Sequence, residues 1–291
     1  SEALTLNGNV TRFRVADNQV HDVNNIGIDF IGGEGTCPDP EQDVARDGVC
    51  VGNRVWNARS IYGGGYAAGI YVDGGRNIVV ERNVVTECDL GIEIGAENAG
   101  VIASRVIVRN NLIYANDKGG IIFGGFNGRV GRVMDCQFLN NTCFKNDTFS
   151  DGNGELAIQF AEGNIVRNNI FYCGPQNRLL TSHTDITNNV LDYNLWYSER
   201  GERRATYFWD GNLFSGLDRF LEASGQGTHS VFSDPQFAAS DQNDFHLKAD
   251  SPAINGGDPE FQVDVGETDF DGEIRISDDR IDFGADEVSS F

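Results

Sequence analysis

The 291-residue sequence predicts an all-β solenoid, a parallel β-helix with three short strands per coil and about seven coils. Three observations carry this. Asparagine recurs in an apolar setting at Asn18, Asn53, Asn83, Asn111, Asn141, Asn169 and Asn189, in steps of 35, 30, 28, 30, 28 and 20 residues. A second ladder, "GIDF", "GIYV", "GIEI" and "GIIF", is led by Gly27, Gly69, Gly91 and Gly120. Between the two ladders, Val and Ile alternate at every second position in runs too short for a hairpin sheet, as in "RNIVVERNVVTECDLGIEIG". Stacked coils place such strands at the ordinary separation of ~4.8 Å, with alternate residues filling a narrow core.

The elements follow in order. Residues 1–198 read as the coils, beginning with a first rung over residues 5–15 whose open edge could pair with missing N-terminal coils or with a partner chain. The opening "SEALTLNGNVTRFRV" has no signal-peptide pattern, which suggests a processed chain or a fragment. A long insertion over residues 32–50 separates the first two rungs, of the kind that walls a groove. The Asn column is expected at a bend, where Asn tolerates left-handed backbone and its amide can bond along the ladder. Residues 199–228 form an excursion or hairpin at "TYFWDGNLF", with "SGLDRFLEAS" the best short helical window. Residues 229–291 read as the end of the β-helix and a tail covering the last coil.

A net charge of −22 argues against a nucleic-acid partner, whose phosphates need cations. No apolar run approaches the ~18 residues of a membrane span. Of the six cysteines, Cys37 and Cys50 flank a polar stretch and read as a loop-closing disulfide. Cys88, Cys136, Cys143 and Cys173 sit in apolar alternations as buried thiols or one further bridge. No Cys-x-x-Cys spacing suggests a zinc ribbon. This usage fits a secreted or cell-surface chain.

The coil pattern together with "DPQF", "DFHL", "SPAINGGD", "DFDGEIR" and "IDFGADE" resembles the secreted right-handed parallel β-helix proteins of the pectate-lyase-like superfamily. The resemblance covers nearly the whole chain. It implies the fold and a polysaccharide laid across the outward face of the Gly-led sheet. It leaves activity open, because lyases, hydrolases and epimerases share such tails. The clustered aspartates with His of polygalacturonases and the D-P-H-D signature of mannuronan epimerases are absent.

Alternation places Asp29, Tyr71, Glu93 and Ile122 outward on successive rungs, with Asp73 one step along and Gln159 farther down. Asp73, Glu93 and Glu97 are candidate Ca²⁺ ligands. Tyr71 offers a flat ring for a sugar, and Arg76 and Gln159 polar contacts, with Arg129 a weaker candidate. Lys118, the lysine nearest the column, is the candidate base of a Ca²⁺-assisted lyase of acidic polysaccharide. A non-catalytic carbohydrate-binding or cell-surface module is the alternative. An inverting hydrolase using Asp29 and Glu93, about two rungs or ~10 Å apart, is the third reading. His21 with Asp22 reads as an outward pair on the third sheet, and Asp269, Asp271 and Glu273 as a turn with calcium-loop flavour.

Overall fold

The computed structural model describes residues 2–183, 185–278 and 280–289, so Asp279 of the tail motif lies outside it. The chain winds into a parallel β-solenoid of about seven turns. In the first sheet, strands Leu4–Asn7, Ile28–Ile31, Ala68–Asp73, Leu90–Gly95, Ile121–Gly124, Leu156–Gln159, Arg178–Ser182 and Thr206–Trp209 stack in that order. From Ile28–Ile31 to Arg178–Ser182 the turns return in register, so Ile28, Ile70, Ile92, Ile121, Leu156 and Leu180 form one inward column. Phe30, Val72, Ile94, Phe123 and Ile158 form a second, and both belong to one continuous core. Each such side chain contributes about 1.5–3 kcal/mol of burial.

The bend between the second and third sheets carries the asparagine ladder. Asn53 Nδ2 donates to Asn83 Oδ1, Asn83 to Asn111, Asn111 to Asn141 and Asn141 to Asn169, at 2.9–3.0 Å. The seventh member is Asn194, 25 residues after Asn169, and not Asn189. Asn189 belongs to a separate ladder, where its Oδ1 accepts from Asn164. A third, Asn116 to Asn146 at 2.8 Å, ends on the buried carboxyl of Glu155. The left-handed residue at the main bend is also not the ladder Asn but its predecessor: Asp17, Gly52, Arg82, Asn110, Asn140, Asn168 and Tyr193 all have positive φ.

The last coil is closed by residues 206–224, not by the tail. Strand Thr206–Trp209 turns back antiparallel onto Asn212–Ser215, and helix Leu217–Ser224 follows. Its Phe220 lies flat on Tyr207 at 4.9 Å and meets the edge of Trp209. Gly225, at φ 67°, ends the helix in a left-handed cap.

The tail instead runs along the flank of the third sheet, after a final rung Val231–Phe232. Outward positions there are mostly apolar (Val84, Leu112, Ile170 and Leu195, with Thr142 between), and Phe237, Phe245, Leu247, Ala253 and Phe283 cover the apolar ones. Arg109 clamps the tail to the coils, bonding Glu81 at 2.9 Å, Asp264 at 2.6 Å and Glu267 at 2.7 Å. Within the tail, buried Arg275 donates to the carbonyls of Asp282, Gly284 and Ala285. The "DGEIR" and "IDFGADE" segments are thereby tied together.

The expected Cys37–Cys50 bridge is not formed, and all six cysteines are free thiols. Cys50 points into the core with its Sγ 3.3 Å from Asn53 Nδ2, whereas Cys37 sits in the loop, its N–H bonded to Asp43. Among the described residues no helix is long and apolar enough to cross a membrane.

Candidate functional site

The outward column on the first sheet is in register: Asp29 opposite Tyr71, Tyr71 opposite Glu93, Glu93 opposite Ile122 and Ile122 opposite Ala157. This face is not the open, solvated surface that charged outward residues ordinarily imply. Asp29, Tyr71 and Asp73 are 2%, 4% and 3% exposed. The face forms the floor of a cleft of about 550 Å³, lined by Tyr66, Tyr71, Glu93, Glu97, Ile122, Phe126, Asn153 and Gln159 among others. Glycine keeps that floor low. A Cβ on Gly95 would fall 3.0 Å from the Tyr71 hydroxyl, and one on Gly124 would fall 1.6 Å from the Gln159 carbonyl.

Loops at the two ends of the strands provide the aromatic walls. Tyr66 ends the loop before strand Ala68–Asp73, and Phe126 follows strand Ile121–Gly124. Both rings are largely exposed, at 56% and 77%. Asp89 Oδ2 accepts from the N–H groups of Ser60 and Ala67 at 2.8 and 3.0 Å, pinning both ends of the first loop. Arg59 adds an ion pair to Asp117, and Lys118 Nζ donates to the Gly64 carbonyl.

Burial, more than any neighbour, sets the state of the carboxyls. It pushes Asp29 up to about 9, with Asp73, Glu2, Glu97 and Glu93 adding repulsion. It raises Glu93 to about 8, with Glu97 and Asp73 contributing. It raises Asp73 to about 7, against the N–H of Glu97, which donates to Asp73 Oδ1 at 2.8 Å. Glu97 is also raised, by burial and then by Glu34 and Glu2.

The expected site residues are thus only partly brought together. Tyr71, Glu93, Glu97 and Gln159 line the cleft. Asp29 and Asp73 lie in the same sheet but are not among its lining residues. The Lys118 ammonium sits 3.7 Å above the Tyr66 ring centre, drawn to the loop and not to the column. Arg76 is on the second sheet, where it donates to the Glu41 carbonyl, and Arg129 is on the 125–131 loop. Among the described residues no Lys or Arg lines the cleft.

The ligand atoms of Asp73, Glu93 and Glu97 are not drawn within 4.8 Å of one another. Among the described residues, the set whose ligand atoms come within 4.8 Å of one another is His246, Asp271 and Asp286, on the tail. There His246 bonds Asp244 through Nδ1 and Asp271 through Nε2, at 2.5 and 2.9 Å. Asp269 holds a turn instead, accepting from the N–H groups of Asp271 and Glu273. His21 stacks on Trp56 at 4.2 Å on the third sheet, with Asp22 at 2.8 Å, away from the cleft.

Comparison with known proteins finds an uncharacterized protein of Bacillus subtilis (strain 168), YwoF, that is 33% identical over 260 residues, 87% of this chain and 55% of that protein. The chain therefore spans about half the length of the curated relative it matches. No family model matches the chain.

Proposed function

We propose that this chain is a secreted glycan-binding β-helix, right-handed like the pectate-lyase-like proteins it resembles, with its sugar site in the cleft over the first sheet. One observation supports this most: aromatic faces (Tyr66, Tyr71, Phe126), amides (Asn153, Gln159) and carboxyls (Glu93, Glu97) share one cleft. Flat rings with a few convergent polar groups suit a polyhydroxylated ligand. A lyase needs a base over the bound sugar, and Lys118 is committed to Gly64 and Tyr66. A second reading rests on Glu93, a cleft-lining carboxyl that burial pushes up to about 8, in the range a general acid for a glycosidic oxygen requires.

Affinity electrophoresis through neutral, acidic and amino polysaccharides tests the binding reading. Reducing-end release and the absorbance of unsaturated uronates test chemistry in parallel. Tyr66→Ala and Phe126→Ala are each expected to weaken binding about 3- to 10-fold, the value of one aromatic contact. Retardation by none of the polysaccharides, or retardation indifferent to both substitutions, removes the reading. Product release lost in Glu93→Gln replaces it with the hydrolase.

A further inference from the structure

We infer that the third sheet carries a docking slot for another protein, between Trp56 and Tyr114, and that its occupant is an extended segment bearing a phenylalanine preceded by an acidic residue. The slot and the glycan cleft lie on different sheets, so this does not depend on the reading above. One outward column of the third sheet runs, in register, His21, Trp56, Thr86, Tyr114, Phe144, Tyr172 and Tyr197. Successive rings in it meet at centroid distances of 4.2 Å for His21 and Trp56, 4.6 Å for Phe144 and Tyr172, and 4.8 Å for Tyr172 and Tyr197. Thr86 breaks the column. The space above it is a cavity of about 200 Å³, lined by Arg54, Val55, Trp56, Val84, Thr86 and Tyr114.

The neighbouring gaps are filled by the chain itself. The tail lays Phe245 against both Tyr114 and Phe144, at 5.1 Å each, and Phe237 against both Phe144 and Tyr172, at 5.9 and 6.3 Å. Each tail ring thus bridges two successive rings of the column, and the slot is the next position along the same interface. Trp56 and Tyr114 stand two rungs, ~9.6 Å, apart, so a ring midway lies ~4.8 Å from each, inside the range of favourable aromatic pairs. Arg54 supplies the charge preference. Its guanidinium is exposed and, among the described residues, has no ion-pair or hydrogen-bond partner. A carboxylate beside the inserted ring would meet it as a charge-assisted pair. On this same flank Phe245, Phe270 and Phe283 each follow an aspartate. Those three Asp-Phe pairs are already seated, so the occupant belongs to another protein.

Amide-detected NMR on the intact chain provides the test, read at the Trp56 indole N–H and the Thr86 amide. The probe is the blocked peptide acetyl-Gly-Asp-Phe-Gly-amide, with Asp→Asn and Phe→Ala versions beside it. The Asp-Phe peptide is expected to move both signals with a Kd on the order of 1 mM, ordinary for one anchoring side chain. The Phe→Ala peptide should bind at least ~10-fold more weakly, and the Asp→Asn peptide ~3- to 10-fold more weakly. Thr86→Phe, which completes the column with a ring of its own, should abolish the shift at Trp56. Arg54→Gln should remove the preference for Asp over Asn. The two peptide controls carry the test by themselves should either variant not fold.

Silence at both signals up to ~10 mM peptide, about ten times the expected Kd, overturns the slot. Shifts as large with the Phe→Ala peptide overturn the aromatic anchor, and equal affinity of the Asp and Asn peptides overturns the acidic part. Movement of the same signals by cellohexaose at lower concentration than the peptide overturns the inference in favour of a sugar slot. Signals that move with protein concentration alone overturn it in favour of a second copy of this chain.

Discussion

Asn111→Ala is the sharpest test of what holds the stack together. The Asn111 side chain is fully buried and makes four hydrogen bonds: Nδ2 to Asn141 Oδ1 and to the Val80 carbonyl, both at 2.9 Å, and Oδ1 from Asn83 N and Nδ2, at 2.9 and 3.0 Å. At about 1 kcal/mol net for each bond, the loss is about 4 kcal/mol, a large part of a typical domain's 5–15 kcal/mol. Asn18→Ala is the control, because it removes bonds to Ala16 and Asn53 at a part-buried end of the same ladder. Its expected cost is below ~1 kcal/mol, since exposed groups find water instead. Urea unfolding followed by far-ultraviolet circular dichroism, with the slope m compared between variants, measures both. Equal losses at the two positions would refute the reasoning, because the ladder's worth would then not depend on burial.

Three further outcomes are expected. Phe220→Ala, which removes the ring plugging the last coil, should cost about 3–5 kcal/mol in the same unfolding assay. Asp29 is held protonated in the fold up to about pH 9 but ionises near 3.8 when unfolded. The stability it contributes is therefore complete below about pH 4 and is lost as pH rises towards 9. Asp29→Asn should raise the melting temperature above wild type at pH 8–9, with the gap closing towards pH 4; a constant gap would contradict this. Alkylation under native conditions should label Cys37, the one thiol not fully buried, and all six after unfolding. Mass spectrometry without reductant reads both numbers.

Much of the fold was legible because a period of two leaves little choice. Ile28, Phe30, Ile70 and Val72 face the core once any one of them does, and Asp29 and Tyr71 must then face away. The same rule applied to "GVCV" turns Cys50 inward, which is why the flanking polar stretch was a poor guide to a disulfide. Asn189 shares the "NN" setting of Asn111, Asn141 and Asn169 and follows Asn169 by 20 residues, whereas Asn194 follows it by 25, and only the bonds tell the two ladders apart.

The site was less legible. Outward facing ordinarily goes with solvation, but Asp29 and Asp73 are buried, which alternation does not reveal. Tyr66 and Phe126 lie in Gly-rich turns where no alternation marks them, and Asp89 acts through backbone N–H groups that spacing alone does not reveal. The tail's path has a signal in Val84, Leu112, Ile170 and Leu195, apolar residues that recur on the face opposite the core.

That flank-bound tail gives the solenoid a direction in which to come apart. Asn110, Asn140 and Asn168, on successive turns, each bond the tail: through Thr268, Asp282 and Asp258 respectively. Those turns must open together with it. The first turn, which contains Leu4–Asn7 and Gln19–Val23, pairs its strands only with the next coil, so it can peel off alone. Amide hydrogen exchange should accordingly grade from fast to slow along the first turns and then step to a plateau where the tail begins. Tension applied to the first strand would unzip this end coil by coil, while the stapled half yields in a single event.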